Sequence, residues 1–588
     1  MGRSVSVVQR MRAPLPVHPA LHRLSRPQLT HTEPGRQPLS LPGVVGALLF
    51  GALSFTPSLA PRDWLIQGIV NGLSAAVGYG AGVFAAWVTR VFIRWTPSGR
   101  QAARLWVVVG LVGFPLLAFA LWQGQRWQRE IHLLVGLEPP DSYAWVRMLV
   151  LAVALFLAIV GVGRGLRWVV RKLTGWLDRV MPEAVATPLA VIIVVLVLMG
   201  VNDGILGRGL MSAANSVFGA ANGTTSPGTF RSMAPERSGS PASLVSWQSL
   251  GLQGRDFVGG GPGVAELAEF SGQEAERPVR VYAGLRSAPT TAARADLAVR
   301  DLRRAGGFDR EVLVVATTTG TGYVDPAAAE AVEYMYNGDT ATIGIQYSYL
   351  PSWISFLADQ EKAKNAAHVL FEAVHEAWSA LPEDERPLLL TTATSLGVFG
   401  SEAAFEGEQD LLDQTDGVVW TGPPSFSPLH QQFVTGRDEG SPAWRPVYDG
   451  GEHVRFLAGP DDAWEDGRLE SSEVVYLRHG SDPVTLWTPR LAFSRPDWLE
   501  ESRAPDVSPD MFWIPVVTFW QVTADLAANY GVPAGHGHRY VQIYADGFAS
   551  VVAPEGWTHA DSTRLRAQLK RNAVERERVM NSGGPSVG

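Results

Sequence analysis

Five apolar stretches, at about 43–60, 64–89, 105–122, 145–163 and 184–202, crowd the first third of this 588-residue chain. Each approaches the ~20 residues that a helix needs to cross a hydrocarbon core about 30 Å thick. The first is the most marginal, being short and carrying Pro57. A helical membrane domain over 41–203 is therefore expected. Its spans hold almost no ionisable group, which argues against a transport path, since such paths need polar groups inside the bundle. Gly68-x-x-x-Gly72 and Gly78-x-x-x-Gly82 predict close helix packing instead.

Loop charges predict the orientation. The tail over 1–40 carries Arg3, Arg10, Arg12, Arg23, Arg26 and Arg36 against Glu33 alone. Arg90, Arg94, Arg100 and Arg104 follow the second stretch, and Arg164, Arg167, Arg171, Lys172 and Arg179 follow the fourth. The loops at 60–63 and 123–144 are mixed. The tail is thus expected in the cytoplasm, and an odd number of spans places everything after about residue 204 outside. A competing reading makes the first stretch a signal peptide cut after Ser58-Leu59-Ala60, but the long tail before it is unlike a compact n-region. Trp127–Leu137 reads equally as an amphipathic surface segment or an ordinary loop.

Up to Asp203 the formal charge is +11, and beyond it −19, giving the overall −8. An acidic second part without a basic stripe excludes a nucleic-acid partner. Cysteine is absent, which removes disulfides and thiolate metal sites without deciding the compartment. Abundant Ala, Gly, Val and Arg with little Lys suggests a GC-rich bacterial source.

Residues 204–278 are rich in Gly, Ser, Asn and Pro and read as a connector with little structure of its own, in which Ser243–Leu250 could dock. From Val279 to about 575, strand candidates alternate with helical patterns: Val279–Leu285, Glu311–Ala316, Thr340–Tyr347, Leu388–Thr392, Gly417–Trp420, Val454–Leu457 and Val474–Leu477. That alternation predicts a mostly parallel sheet flanked by helices. Residues 576–588 read as a disordered tail.

Ligands of such a sheet bind beyond the carboxyl ends of its strands. There the run Pro387–Thr394 stops at Ser395, with small residues Ala393 and Gly397 two positions either side and a helix-compatible segment after it. This is the pattern of a nucleophile elbow, a strained strand-to-helix turn that exposes a serine hydroxyl. A serine needs a neutral imidazole to take its proton and a carboxylate to orient that imidazole. Asp482, on the loop leaving Val474–Leu477, suits the carboxylate. Asp461 and Asp462 are alternatives, whereas Asp416 precedes its strand and falls at the wrong edge. His536 and His538, in a Gly-rich loop, are both candidate bases, and spacing does not choose between them. The order Ser, Asp, His is that of the α/β-hydrolase fold. Oxyanion donors are expected from the amide of Leu396 and from the loop Thr317–Gly322, with Thr319 favoured. A metal site at His536 and His538 lacks a third ligand nearby, His479 and Asp546 being distant, so neither metal nor cofactor is expected.

The stretches Thr56–Trp64, Ser238–Trp247, Val314–Asp325, Gln346–Trp353, the elbow, His479–Pro483 and Gly535–His538 together resemble the actinobacterial membrane-anchored alpha/beta-hydrolase family, which carries an N-terminal helical membrane domain. The resemblance covers about 43–550 and implies a serine-hydrolase-like domain with Ser395 as nucleophile. Ala393 and Thr394 depart from the family's usual Gly-Glu-Ser-Leu-Gly. The expected function is a serine esterase, lipase or acyltransferase in the bacterial membrane, acting on lipid or envelope esters at the outer face, with membrane lipids as neighbours. Aromatic residues of Gln346–Trp353 and Asp510–Trp520 are candidates to line an acyl pocket. The alternative is a non-catalytic envelope scaffold that uses the same fold.

Overall fold

The computed structural model describes residues 39–93, 99–200, 207–350, 355 and 360–582. The basic tail up to residue 38, Arg94 and residues 351–354 lie outside the described residues. Helices α1 (Leu41–Leu53), α2 (Trp64–Phe92), α3 (Gly99–Leu134), α4 (Trp145–Leu177) and α5 (Glu183–Gly200) follow in order. Three helices, Trp64–Phe92, Arg100–Leu134 and Trp145–Leu177, are long and apolar enough to cross a membrane. The stretches at either end, expected as full spans, form shorter apolar helices, Leu41–Leu53 and Val185–Gly200. At 13 residues α1 is only about 20 Å long, because Pro57 and the polar turn around it end the helix early.

The two Gly-x-x-x-Gly pairs serve different neighbours. A Cβ on Gly68 or Gly72 would lie 3.0 Å from the carbonyl of Met148 or Ala152 on α4. On Gly78 or Gly82 it would lie 2.2 Å or 2.1 Å from the carbonyls of Gly46 or Pro42 on α1. Backbones approach this closely only without side chains between them. Outward faces carry large apolar groups such as Phe84, Trp87, Phe114 and Trp122, all exposed.

Helix α3 has 36 residues and so extends about 54 Å. Trp127–Leu134 is its last part, so that stretch is helical and not a loop. It grips the C-terminal domain: Trp127 Nε1 donates to Asp510 Oδ2 (2.8 Å), and Ser508 Oγ donates to Glu130 Oε1 (3.1 Å). The turn before α2 is tied more deeply. Asp525, on the helix Val517–Ala528, accepts from Ser58 Oγ, Leu59 N–H and Arg62 Nε at 3.0, 3.0 and 2.9 Å. Leu59 is buried with Leu486, Met511 and Val522. Asp510–Trp520 thus packs at this junction and does not line the cavity described below.

The C-terminal domain is built on strands β1 (Val279–Ala283), β2 (Val312–Thr317), β3 (Thr340–Ile345), β4 (Leu388–Thr394), β5 (Gly417–Thr421), β6 (Val454–Leu457) and β9 (Val474–Leu477), with a hairpin of β7 (Trp464–Glu465) and β8 (Arg468–Leu469) inserted. The seven-stranded sheet has the order β1-β3-β2-β4-β5-β9-β6 and is parallel throughout. Its strands are buried on both faces, which explains their near-continuous Val, Leu, Ile and Thr runs.

The connector is more structured than its composition suggests. It contains α6 (Gly207–Asn222), α7 (Gly251–Gly259) and α8 (Val264–Ser271). Leu250, Phe257 and Val258 pack on Tyr282, Ala316 and Val324. A Cβ on Gly254 would lie 2.5 Å from the Tyr282 ring. Here glycine marks close packing, not slack. The last helix likewise runs through the expected disordered tail as far as Ser582.

Candidate active site

In the sheet β2, β4, β5 and β9 are successive neighbours, so the loops leaving their carboxyl ends lie side by side. Ser395 sits between β4 and the helix Leu396–Glu402 with φ 56° and ψ −130°. A non-glycine residue at positive φ is strained, and at this turn the strain lifts the hydroxyl clear of the sheet. The Ser395 N–H donates to Thr421 O (2.8 Å), anchoring the turn to β5. A Cβ on Gly397 would lie 2.7 Å from Thr317 O, so glycine is required there. Ala393 fits, buried in the strand between Thr317 and Trp420.

Asp482 caps the short helix Pro483–Leu486 through Val484 N–H (2.8 Å) and is fully buried. Its Oδ2 lies 2.7 Å from His538 Nδ1 and accepts from the Tyr540 hydroxyl at 2.8 Å. Burial alone would raise this carboxyl, but His538, the Tyr540 hydroxyl and the Val484 N–H outweigh it and hold Asp482 below its ordinary value. An ionised Asp482 fixes the proton on His538 Nδ1 and leaves Nε2 as the lone pair. Nε2 is buried and bonded to no group among the described residues. Glycine again makes room: a Cβ on Gly422, at φ 56°, would lie 2.6 Å from His538 Cε1.

The histidine loop is held from several sides. Asn529 Oδ1 accepts from His538 N–H (2.8 Å), Ser481 Oγ accepts from Gly537 N–H (3.0 Å), and His479 Nδ1 meets Gly537 O (2.8 Å). His479 stacks on Tyr540 with ring centroids 4.2 Å apart, and desolvation keeps its imidazole below the ordinary value. His536 has a buried Nδ1 without a hydrogen-bond partner among the described residues. The geometry therefore separates the two histidines that spacing leaves equivalent.

The other carboxylates have different duties. Asp461 pairs with His559 and Arg566, and Asp462 caps Ala458 and Gly459 and pairs with Arg445. Asp416 meets Leu389 N–H at the start of β4, at the far edge of the sheet. Asp546 accepts from Trp464 Nε1 and faces Arg566. Among the described residues no group of three His, Cys, Asp or Glu is placed to hold a metal ion.

Ser395 and His538 line one cavity of about 440 Å³, together with Thr319, Thr321, Tyr323 and Asp325. Leu396, the first residue of its helix, has an N–H with no acceptor one turn back. Thr319 differs from expectation: its N–H is taken by Tyr323 O (3.1 Å), because Thr319–Gly322 closes into a tight turn. Its hydroxyl, 3.4 Å from that of Thr321, remains at the cavity. Three participants carry no motif: Gly422, Tyr540 and the roof formed by Ala573, Arg576, Glu577 and Met580 of the last helix. Only Gly422 leaves a trace, as the glycine after a strand in Thr421-Gly-Pro-Pro.

Residues 279–565 match the alpha/beta-hydrolase family, and residues 55–262 match the N-terminal family that accompanies it. The chain belongs to the alpha/beta-hydrolase family. No curated protein and no solved structure matches the chain. Within this hydrolase family member, the sheet, the elbow turn and the loop after β9 occupy the positions that the fold uses for chemistry.

Proposed function

We propose that the protein is a membrane-anchored serine hydrolase, an esterase or acyltransferase, working on lipid or envelope esters at the outer face. The observation that carries this reading is the His538–Asp482 contact beside the cavity that Ser395 and His538 both line. Ser395 Oγ attacks the ester carbonyl carbon while His538 Nε2 takes the hydroxyl proton. The carbonyl oxygen becomes an oxyanion, met by the Leu396 N–H and the Thr319 hydroxyl. The bond to the alcohol oxygen then breaks, and the alcohol leaves with the proton from His538. Water or a second alcohol attacks the acyl-serine in the same manner, giving an acid or a new ester and restoring the serine.

Placement at the outer face rests on the basic groups. Arg90, Arg100, Arg104, Arg171 and Lys172 lie toward the helix ends remote from the C-terminal domain, as the positive-inside bias requires. Covalent labelling by a fluorophosphonate tests the chemistry: wild type labels and Ser395→Ala does not. Absence of labelling in folded wild type leaves the scaffold reading standing. Lipid profiles of a deletion strain beside a Ser395→Ala strain then narrow the substrate.

A further inference from the structure

A pocket for a long acyl chain is lined mainly by apolar side chains. This cavity is of another kind. Carbons of Pro326, Ala327, Val541 and Met580 share its wall with Asp325, Arg539, Arg576 and Glu577. Both guanidinium groups are already paired, Arg576 with Glu330 and Arg539 with Glu577, so the wall has no surplus positive charge to select a phosphate or carboxylate. It offers donors and acceptors beside apolar faces, and a plain alkyl group would strand them without partners.

Asp325 is the most telling member. It caps the helix Pro326–Met335, its Oδ1 accepting from Ala327 N–H at 2.9 Å, and its Oδ2 accepts from the Tyr544 hydroxyl at 3.1 Å. A carboxylate has about four acceptor positions, so about two remain for hydroxyl donors in the cavity. Tyr544 also meets Thr394 Oγ1 at 3.0 Å, one residue before Ser395. Two hydrogen bonds thus fix the carboxylate relative to the elbow.

Resting on the serine-hydrolase reading, we propose that the alcohol part of the ester, or the acyl acceptor, is a polyhydroxy compound, a sugar or polyol, whose hydroxyls bind Asp325 and the paired groups of the roof. A ring or chain bearing hydroxyls on its edges and carbons on its faces suits both halves of this wall.

The test compares 1-butyrylglycerol with ethyl butyrate, using full-length protein in detergent micelles. Wild type should favour the glycerol ester by about 100-fold or more in kcat/KM, since a site built to bond hydroxyls rejects analogues lacking them. Asp325→Asn should reduce that preference at least ~10-fold, mainly through KM. Thr321→Val gives a second reading should the first variant misfold. Ser395-dependent hydrolysis with no preference for the glycerol ester overturns the proposal and leaves the hydrolase reading intact. If neither ester turns over, calorimetry with Ser395→Ala decides: binding of 1-butyrylglycerol that is weakened by Asp325→Asn supports the proposal, and no binding overturns it. The hydrolase reading itself falls separately, on absent fluorophosphonate labelling.

Discussion

His538 Nδ1 stands 2.7 Å from Asp482 Oδ2, whereas His536, two residues earlier, makes no such contact. Replacing the two histidines by alanine should therefore have very different effects. His538→Ala should lower kcat on the order of 10³–10⁴-fold, and His536→Ala only a few-fold. Steady-state ester hydrolysis measures both, and equal losses would mean that the contact does not matter to catalysis.

Gly422→Ala should disable the site without touching any reacting atom. The new methyl would meet the His538 ring at 2.6 Å in a backbone region that favours glycine. Moving the imidazole by about 1 Å should cost about 100-fold in kcat. Retained activity in a normally folded variant would show that the ring has room to spare.

Asp525→Ala should loosen the junction between the helices and the C-terminal domain. Arg62 and Asp525 are both fully buried, so removing the carboxylate leaves a charge unpaired, at about 3–5 kcal/mol. Thermal unfolding in micelles should show the loss, and a double change to Arg62→Met and Asp525→Leu should recover most of it. A double variant no better than the single one would contradict this account.

Glu402 gives the clearest pH signature. Burial raises its carboxyl to about 8, against the pull of Leu429 N–H, the Tyr476 hydroxyl and His430 N–H. Its folded-state value lies above the ordinary one, so its contribution is whole below the ordinary carboxylate range and is lost as pH rises through about 8. The melting temperature of wild type should fall relative to Glu402→Gln between pH 5 and 9. A constant difference across that window would show that Glu402 titrates normally.

The strand-to-helix turn at Ser395 and Gly397 is legible in the sequence because such a turn admits so few residue types, and the placement of Asp482 because it follows a late strand. Parallel strands buried on both faces announced themselves as apolar runs. The choice between His536 and His538 was not legible. His538 meets Asp482 on a loop held by Asn529, Ser481 and His479, contacts that no local spacing encodes. Composition misled in the connector, where glycines that resemble slack let α7 sit against Tyr282. It misled again at the end of the chain, where polar residues read as disorder form the cavity roof. Hydropathy located α1 and α5 but overstated the length of α1, since it does not register where Pro57 ends a helix.

The helix Val517–Ala528 touches both parts of the protein through its C-terminal end. Its Asp525 is satisfied by Ser58, Leu59 and Arg62, and the helix leads directly to Asn529, which holds the His538 amide. A soluble fragment cut free at residue 204 would open this seam to water and leave Asp525 without the three donors that surround it. Fraying there would reach the imidazole within a few residues. Assays on such a fragment would report the damage of excision rather than the chemistry of the whole chain.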